Sequence, residues 1–484
     1  MKLFRMVYIR SVRGMHLNIL PAPVRRFLLF NFMNVVSWKA FIGPVLILHA
    51  NAIGIDTGKI GILNSTLYFA CILGIFTKGI AERIGSKRLL LGGWTLRNIL
   101  VSPIVFIPLV LQYFGLGWAT LLLFVTITLF CVTRALSVIA WSTWLHEIVP
   151  PKHLGRYFTV EAIIIRFLTV AAGVACFFAF GRNNWDPANG PNLVELWKFA
   201  AFSAIGILFG LMSTRVLKDV PGGAPDPVAN EAERRERAKA DSYSSVLHDG
   251  MFMSFLICSG VFLSIFSATT LLTTLILKNL FHYGTGTVLF LTSAGNILAI
   301  FTATKWRLFA DRHGSPATMM LTGVLSFLCL AVIGLVAYFN PQHHAALVFT
   351  LLTIACVILP VGESASTMAA SRGFMLRMKT ENRHACNAIW NAGSQSFCGV
   401  SSIVIGYLLK SEAGSDVLHI KYAVASIGIA IISLIAAVIV LRLKVPKGDA
   451  LPGPSPIYDP AHPLLSMWRA VPYVLSPKSS SEIK

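Results

Sequence analysis

Two short charged turns decide how this chain is organised: "KGIAERIGSKR" at residues 78–88 and "WRLFADRHGSP" at residues 306–316. Each turn lies between two long apolar stretches and combines a carboxylate, an arginine and a glycine. The two carboxylates, Glu82 and Asp311, are 229 positions apart. A second pair of connections, "VPPKHLGRYFTV" and "MKTENRHACNAI", recurs at nearly the same offset. This repetition predicts two related halves within one chain.

The composition indicates a membrane protein. Of the 484 residues, 55% are hydrophobic and 13% are charged, whereas a soluble domain carries roughly 25% charged residues. The formal net charge is +20, but the basic residues lie mainly in short connections between apolar stretches. Orientation in a bilayer explains such a charge distribution, and without a basic, aromatic-rich soluble patch we expect no nucleic-acid partner.

Twelve apolar stretches are long enough to cross a bilayer, which takes about 20 helical residues. Each is predicted to be a helix, because an unpaired backbone group in lipid is too costly. The fold class predicted from the sequence is therefore an all-α membrane protein of twelve transmembrane helices in two six-helix bundles. The stretches centre near residues 27–50, 58–77, 89–112, 118–142, 158–180, 195–216, 251–277, 285–304, 317–338, 345–370, 388–409 and 420–441.

The polar segments divide the chain into five predicted parts. Pro and Gly open the longest polar segment between spans, and mixed charges fill it, which is typical of a linker with at most a short surface helix. The C-terminal region is rich in proline, as extended segments are. We predict a basic N-terminal segment at 1–26, a bundle at 27–217, a linker at 218–248, a second bundle at 249–443 and a tail at 444–484.

The distribution of Lys and Arg predicts the orientation of the chain. Of the 41 Lys and Arg residues, 31 fall on the side that carries both termini, six fall on the other side, and four lie within spans. Short cytoplasmic loops carry the excess of basic residues in membrane proteins. Both termini are therefore expected in the cytoplasm.

The charged turns resemble motif A of the major facilitator superfamily, whose core is Gly-x-x-Ala-Asp-Arg-x-Gly followed by basic residues. Two positions depart from that motif: Glu82 replaces the usual aspartate, and Arg307 stands where the second copy would open with glycine. The residues at the motif positions are Gly79, Glu82, Arg83, Gly85, Lys87 and Arg88 in the first copy, and Ala310, Asp311, Arg312 and Gly314 in the second.

The resemblance implies a gate at the cytoplasmic end, held by the charged turns, and a bacterial inner membrane location. The loop after the fourth span, with Glu147 and Arg156, is similar to the corresponding loop of many bacterial members, and Glu147 is expected to pair with a base of motif A. Although His146 and Glu147 begin a zinc-like HExxH pattern, Pro150 stands where the second histidine would be. No metal site and no cofactor are therefore expected.

Ionisable residues inside the spans are the strongest functional candidates, because each costs about 2.5–3.5 kcal/mol at mid-depth. Four are cationic and all four lie in the first half of the chain: Lys39, Arg97, Arg134 and Arg166. Two acidic residues accompany them: Glu161 near the start of span 5 and Glu363 in span 10. Arg97 is on a span that is usually peripheral in this superfamily, so support of the charged turn is the alternative to a place in the substrate site.

Spans 1, 4, 7 and 10 line the central cavity in the family that the chain resembles, and spans 2, 5, 8 and 11 also contribute. Lys39, Arg134, Arg166 and Glu363 are therefore predicted to face one net-positive space that attracts an organic anion. Glu363 would either pair with a base when the cavity is empty or carry a coupling proton, and Glu161 is a second candidate for the proton. Asn34 and Asn391 are candidate polar contacts to the substrate. The alternative is that these groups only hold the bundle together.

The function predicted from the sequence is secondary transport of a small solute by alternating access, with protons as a candidate co-substrate. The absence of a P-loop argues against ATP drive by this chain. Two alternatives remain open: a proton-driven exporter of hydrophobic compounds, and a non-transporting membrane sensor on the same fold. An enzyme is not expected, since no paired catalytic set lies at one membrane face. The expected partners are the small solute and the lipid bilayer, and the chain is expected to be a monomer.

Overall fold

The computed structural model describes residues 21–149, 154–181, 191–224, 243–339, 345–378, 382–410 and 417–443. Within these ranges the chain is helical, and twelve long helical segments cross the molecule, as predicted. We number them as spans 1 to 12. They are Ala22–Ile53, Thr57–Thr77, Ser86–Phe114, Leu116–Ile148, Leu154–Phe180, Leu193–Lys218, Gly250–Leu280, Thr285–His313, Ser315–Tyr338, Ala345–Arg377, Arg383–Leu408 and Leu418–Val440.

Eleven of the described spans are apolar enough to be recognised as membrane-crossing from composition alone, and span 11 is the remaining one. Span 11 is polar because it packs against other spans, chiefly spans 2 and 7. Its polar side chains are correspondingly buried: Asn387, Ser394 and Ser402 are each less than one-tenth exposed. A polar face that meets protein instead of lipid explains why hydropathy understates this span.

The two charged turns have the same backbone geometry. Gly85 has φ 85° and ψ 149°, and Gly314 has φ 87° and ψ 165°. The N–H of each glycine donates to the alanine carbonyl four residues earlier, Ala81 at 3.0 Å and Ala310 at 2.8 Å. Only glycine adopts these angles without strain. The predicted repeat is therefore visible at the level of single dihedral angles.

Replacing Gly314 by alanine should lower the melting temperature of the detergent-purified protein. A side chain at these angles costs about 1–3 kcal/mol. The matched control is Gly428→Ala in span 12, where an added Cβ would meet nothing within 4 Å and where alanine favours the helix. An unchanged melting temperature for Gly314→Ala, with Gly428→Ala also unchanged, would show that the turn relaxes freely.

Two of the spans near the centre of the molecule contain a proline that perturbs the helix. Span 1 breaks at Gly43, which has φ 72°, and restarts as a separate helix at Pro44. Span 10 contains Pro360 inside its helix, where proline removes one backbone hydrogen bond. Broken helices expose backbone and side-chain groups to an internal site.

The first and second sets of six spans meet closely at one end of the molecule. We call the end with the Gly85 and Gly314 turns the basic end, and the other the opposite end. At the opposite end, a Cβ added to Gly61 would lie 2.8 Å from the Cα of Gly406, so spans 2 and 11 touch backbone to backbone. Spans 5 and 8 approach similarly, since a Cβ on Gly286 would lie 2.7 Å from the carbonyl oxygen of Gly181.

Hydrogen bonds reinforce this closed end. Thr285 donates to the buried carboxylate of Glu195 at 2.9 Å, which joins spans 8 and 6. Asn51 donates to Asn279 at 3.3 Å, which joins spans 1 and 7. The structure therefore represents a state in which the opposite end is shut.

The predicted division of the chain into five parts remains a prediction. The N-terminal segment before residue 21, the middle of the linker at 225–242 and the tail from residue 444 lie outside the described residues. Within the described linker, a short helix spans Tyr243–Leu247.

Candidate functional site

Arg166, near the middle of span 5, connects the two sets of six spans. Its Nη1 donates to the amide oxygen of Asn296 in span 8 at 2.8 Å. Its Nη2 lies 3.6 Å from the carboxylate of Glu363 in span 10, which is an ion pair and not a close hydrogen bond. Asn296 is held in turn by its own donation to the carbonyl of Ser293 at 2.9 Å. One guanidinium is thus shared between spans 5, 8 and 10.

Glu363 is only partly satisfied by this pair. Its side chain is 38% exposed, against 15% for Arg166. It lines a cavity of about 60 Å³ with residues from spans 1, 7, 8 and 10, including Pro44 and Pro360. A carboxylate with a loose partner and free space beside it can exchange that partner for another group.

Lys39 belongs to the same group of charges. It interacts electrostatically with both Arg166 and Glu363. It lies in the last turn of the first helix of span 1, three residues before the break at Ile42. The carbonyl groups at a helix C-terminus favour a cation. The break in span 1 therefore creates a helix C-terminus next to Lys39, and its carbonyl groups stabilise the positive charge of that lysine.

Arg134 adjoins this group through aromatic side chains. Its guanidinium lies 4.3 Å from the ring centroid of Trp38 and its Nη1 lies 3.7 Å from the sulfur of Cys71. Tyr68 in span 2 interacts electrostatically with both Arg134 and Glu363. Tyr68 is therefore the link between Arg134 and the Arg166–Glu363 pair.

Arg134 and Glu363 also occupy corresponding positions in the repeat. They are separated by the same 229 residues as Glu82 and Asp311. One half of the molecule thus presents a base where the other half presents an acid. The two halves of the molecule therefore carry opposite charges at this pair of corresponding positions.

Asn34 and Asn391, the predicted polar contacts, make hydrogen bonds outside this group. The amide oxygen of Asn34 accepts from Trp94 at 2.7 Å and from Arg97 at 2.8 Å. Asn391 donates within its own helix to the carbonyl and the side chain of Asn387, both at 2.9 Å. Substrate contact by either asparagine stays a prediction.

Arg97 is fully buried between aromatic rings. Its guanidinium lies 4.8 Å from the centroids of both Trp94 and Phe130, and its exposed fraction is 0%. Cation–π contacts of this kind offset part of the cost of burying a charge. The arrangement gives Arg97 a role in joining spans 3, 4 and 1.

Glu161, the second predicted proton carrier, lies apart from the central charges. Asn31 in span 1 donates to its carboxylate at 2.6 Å. This contact ties the start of span 5 to span 1 near the basic end. Proton transfer by Glu161 stays a prediction.

The second charged turn is pinned to span 10. Asp311 lies 3.3 Å from Nε of Arg372, whose Nη1 also donates to the carbonyl of Ala310 at 2.7 Å. Arg312 in the same turn is partly exposed. The turn is thus anchored through its acid and its backbone together.

The first charged turn is anchored to the segment that follows span 6. Lys87 donates through Nζ to the carbonyl of Val220 at 2.6 Å, and Gly223 donates its N–H to Glu147 at 2.7 Å. Among the described residues, the carboxylate of Glu147 thus accepts a hydrogen bond from the backbone N–H of Gly223, and its pairing with a base of motif A stays a prediction. Arg83 and Arg88 are exposed. The side chains of Glu82 and Arg156, and the surroundings of Gly79, lie outside the description.

The sequence pointed to the charged residues but not to the neutral ones that complete the site. Tyr68 and the threonines of span 7 were not singled out, because hydroxyl groups in an apolar run are common and usually bond their own helix. The run "SATTLLTTL" at residues 267–275 was the available signal. Four threonines line the Glu363 cavity: Thr269, Thr270 and Thr273 from this run, and Thr292 from span 8.

The family model for the major facilitator superfamily matches residues 27–376. This chain belongs to that superfamily. The match covers most of the chain and confirms the prediction drawn from the charged turns. A comparison with curated proteins finds no match.

Solved structures of transporters share the fold. A D-xylose–proton symporter has 15% identity and a TM-score of 0.64, with 89% of this chain and 100% of that chain covered. The nucleoside transporter NupG has 15% identity and a TM-score of 0.56, with 88% and 100% covered. A POT family transporter in complex with a thioalcohol-conjugated peptide has 16% identity and a TM-score of 0.59, with 87% and 96% covered. At these identities the likeness concerns the fold.

Proposed function

We propose that this chain is a secondary transporter that moves a small, carboxylate-bearing organic solute by alternating access. The observation that carries the proposal is the Arg166–Glu363 ion pair, which joins the two sets of six spans within reach of Lys39. A solute carboxylate that replaces Glu363 on Arg166 would remove the direct ion pair between spans 5 and 10. Binding would then be coupled to the relative position of those spans.

The charges support an anionic group on the solute. Lys39, Arg134 and Arg166 supply three positive charges, and Glu363 supplies one negative charge. Guanidinium groups bind carboxylates with charge-assisted hydrogen bonds. Loading the site also frees Glu363, so one positive charge must arrive with the solute. Proton coupling through Glu363 or Glu161 is a prediction from sequence that a pH-gradient assay would test.

Counterflow in proteoliposomes tests the proposal. Vesicles preloaded with an unlabelled carboxylate-bearing metabolite, amino acids included, should accumulate the labelled form of that metabolite. Vesicles preloaded with an unlabelled sugar should not accumulate the labelled sugar. Lys39→Ala should abolish the accumulation while the protein remains monodisperse in detergent. Equal exchange of a neutral sugar, or full exchange by Lys39→Ala, would contradict the carboxylate site.

We further propose that the protein lies in a bacterial inner membrane with both termini in the cytoplasm, so that the basic end faces inward. The excess of Lys and Arg at that end supports this orientation. The two anchored turns at residues 78–88 and 306–316 would then form the cytoplasmic gate. A C-terminal reporter active only outside the cytoplasm should give no signal.

A further inference from the structure

The oxygen-bearing side chains that line the cavity beside Glu363 present hydrogen-bond acceptors to it. Its volume is about 60 Å³. Besides Glu363, its oxygen-bearing side chains are the four threonines Thr269, Thr270, Thr273 and Thr292. The charge and the hydrogen-bonding state of these groups determine what the cavity can hold.

The hydroxyl hydrogen of every one of these threonines is already used. Thr269 and Thr273 lie 2.7 Å from carbonyl oxygens of their own helix, Thr292 lies 2.9 Å and Thr270 lies 3.0 Å from theirs. A carbonyl oxygen cannot donate, so each hydroxyl donates to it and offers only lone pairs to the cavity.

The prolines extend the same pattern. Pro44 and Pro360 both line the cavity, and neither has an N–H to offer. Pro360 also leaves the carbonyl of Cys356, four residues earlier, without its helical donor. Beside the apolar Phe266 and Leu359 and the weakly polar Cys356, the cavity wall therefore combines one carboxylate with several neutral acceptors. A ligand group with several donors and a positive charge matches these polar groups.

The size of the cavity distinguishes between two ways to neutralise Glu363: a proton on its carboxylate, or a cationic head group of the solute. A proton on Glu363 needs no space, whereas one water needs about 10–15 Å³ of the same kind of volume. A cavity of about 60 Å³ holds a small head group. A primary ammonium group brings three N–H donors and one positive charge, which is the charge that Glu363 requires when a solute carboxylate displaces it from Arg166.

We propose that this cavity binds the ammonium group of the solute while Arg166 and Lys39 bind its carboxylate, so that the substrate is a small zwitterionic amino acid. This assignment rests on the proposed function and narrows its substrate class. The Arg166–Glu363 pair of the empty site is then replaced by two pairs with the solute, and no buried charge loses its partner. Uptake of such a solute needs no proton on Glu363.

Matched ligand sets test the assignment by thermal shift and counterflow on the wild-type protein. The probes are the proteinogenic amino acids, β-alanine and 4-aminobutyrate, each with its deaminated acid and its decarboxylated amine. We expect at least one amino acid to raise the melting temperature and to exchange, and its two single-charge counterparts to do neither. If a deaminated acid acts as strongly as its amino acid, the ammonium cavity is refuted while the carboxylate transporter stands. If no member acts, the amino-acid assignment falls.

Three variants locate the ammonium group. Glu363→Gln should weaken amino-acid binding about 100-fold and strengthen binding of the matching deaminated acid, because Arg166 is freed. Thr292→Val, which keeps the shape and removes one acceptor, should weaken amino-acid binding about tenfold. The matched control is Thr302→Val, in the same span and bonded to its own helix at 2.9 Å but outside the cavity, and it should change affinity less than twofold. Unchanged amino-acid affinity in Glu363→Gln would overturn the assignment.

Discussion

Replacing Arg166 with leucine should lower solute uptake about 100-fold or more. A hundredfold loss corresponds to about 2.8 kcal/mol, and Arg166 both pairs with the partly exposed Glu363 and donates to Asn296. The variant loses the group proposed to bind the solute carboxylate. Uptake of labelled solute into proteoliposomes measures the loss.

The same substitution should also lower thermal stability, for a separate reason. Without Arg166, Glu363 loses its ion-pair partner and, among the described residues, keeps only the nearby Lys39. Removing one partner of a charge pair inside the protein destabilises it because the remaining charge is incompletely compensated. The double variant Arg166→Leu with Glu363→Leu removes both charges. It should regain most of the lost melting temperature while uptake stays at background, which separates the structural contribution of the pair from its function.

Arg215→Leu is the matched control for this pair of variants. Arg215 is exposed in the last turn of span 6, so its loss removes the same side chain at a position outside the central charges. Uptake by Arg215→Leu should stay within about twofold of the wild type, as surface substitutions usually do. Uptake by Arg166→Leu that matched this control would remove Arg166 from the substrate site.

The sequence predicted the fold because repeated glycine turns and apolar runs of fixed length allow few arrangements. Gly85 and Gly314 require positive φ, and that requirement can be read from the residues around them. Span 11 is the weakest point of the hydropathy pattern, since its asparagines and serines face other spans. It is nevertheless predicted as one of the twelve apolar stretches long enough to cross a bilayer.

The site was less accessible from the sequence than the fold. Lys39, Arg166 and Glu363 are predicted from the sequence because a charge within an apolar run is conspicuous, and their role in transport stays a prediction. That Glu363 pairs with Arg166 in particular depends on the tilt of spans 5 and 10, and helix tilt is set by packing. The acceptor character of the threonine cavity depends on hydroxyl orientation, which residue identity does not determine.

Arg97 shows the same limit from another side. Sequence alone left open whether it supports the charged turn or faces the substrate. The structure places it between Trp94 and Phe130, with Asn34 as its acceptor. From the sequence alone, a single arginine within a span is compatible with a functional role and with a buried cation–π contact. Its neighbours in the structure decide between the two.

Replacing Gly406 with leucine should abolish transport by preventing closure of the opposite end. A Cβ at this position would lie 2.7 Å from the Cα of Gly61 and 3.0 Å from the carbonyl oxygen of Thr57. These neighbours are backbone atoms and cannot rotate away, so the larger side chain forces spans 2 and 11 apart. Alternating access requires each end to close in turn, and a bias of about 3 kcal/mol against closure reduces the closed population more than 100-fold.

Spin labels at the opposite end would report the separation directly. Lys59 and Lys410 are both exposed at that end, and the eight native cysteines are buried. Thiols introduced by Lys59→Cys and Lys410→Cys should therefore react with the label before the native cysteines do. Dipolar coupling between the two labels should weaken in Gly406→Leu relative to the parent. Gly406→Ala, a smaller wedge, should give an intermediate coupling and intermediate uptake if the protein responds to side-chain size.

The matched control is Gly428→Leu, because a Cβ at Gly428 would meet nothing within 4 Å. It introduces the same side chain at a helical glycine of span 12 and should leave uptake and dipolar coupling unchanged. If Gly406→Leu transported like Gly428→Leu with the labels still close, spans 2 and 11 would have to tolerate a leucine in a backbone contact. The opposite end would then close without that contact, and the gate would have to reside in spans 5 and 8, where Gly286 meets the carbonyl of Gly181.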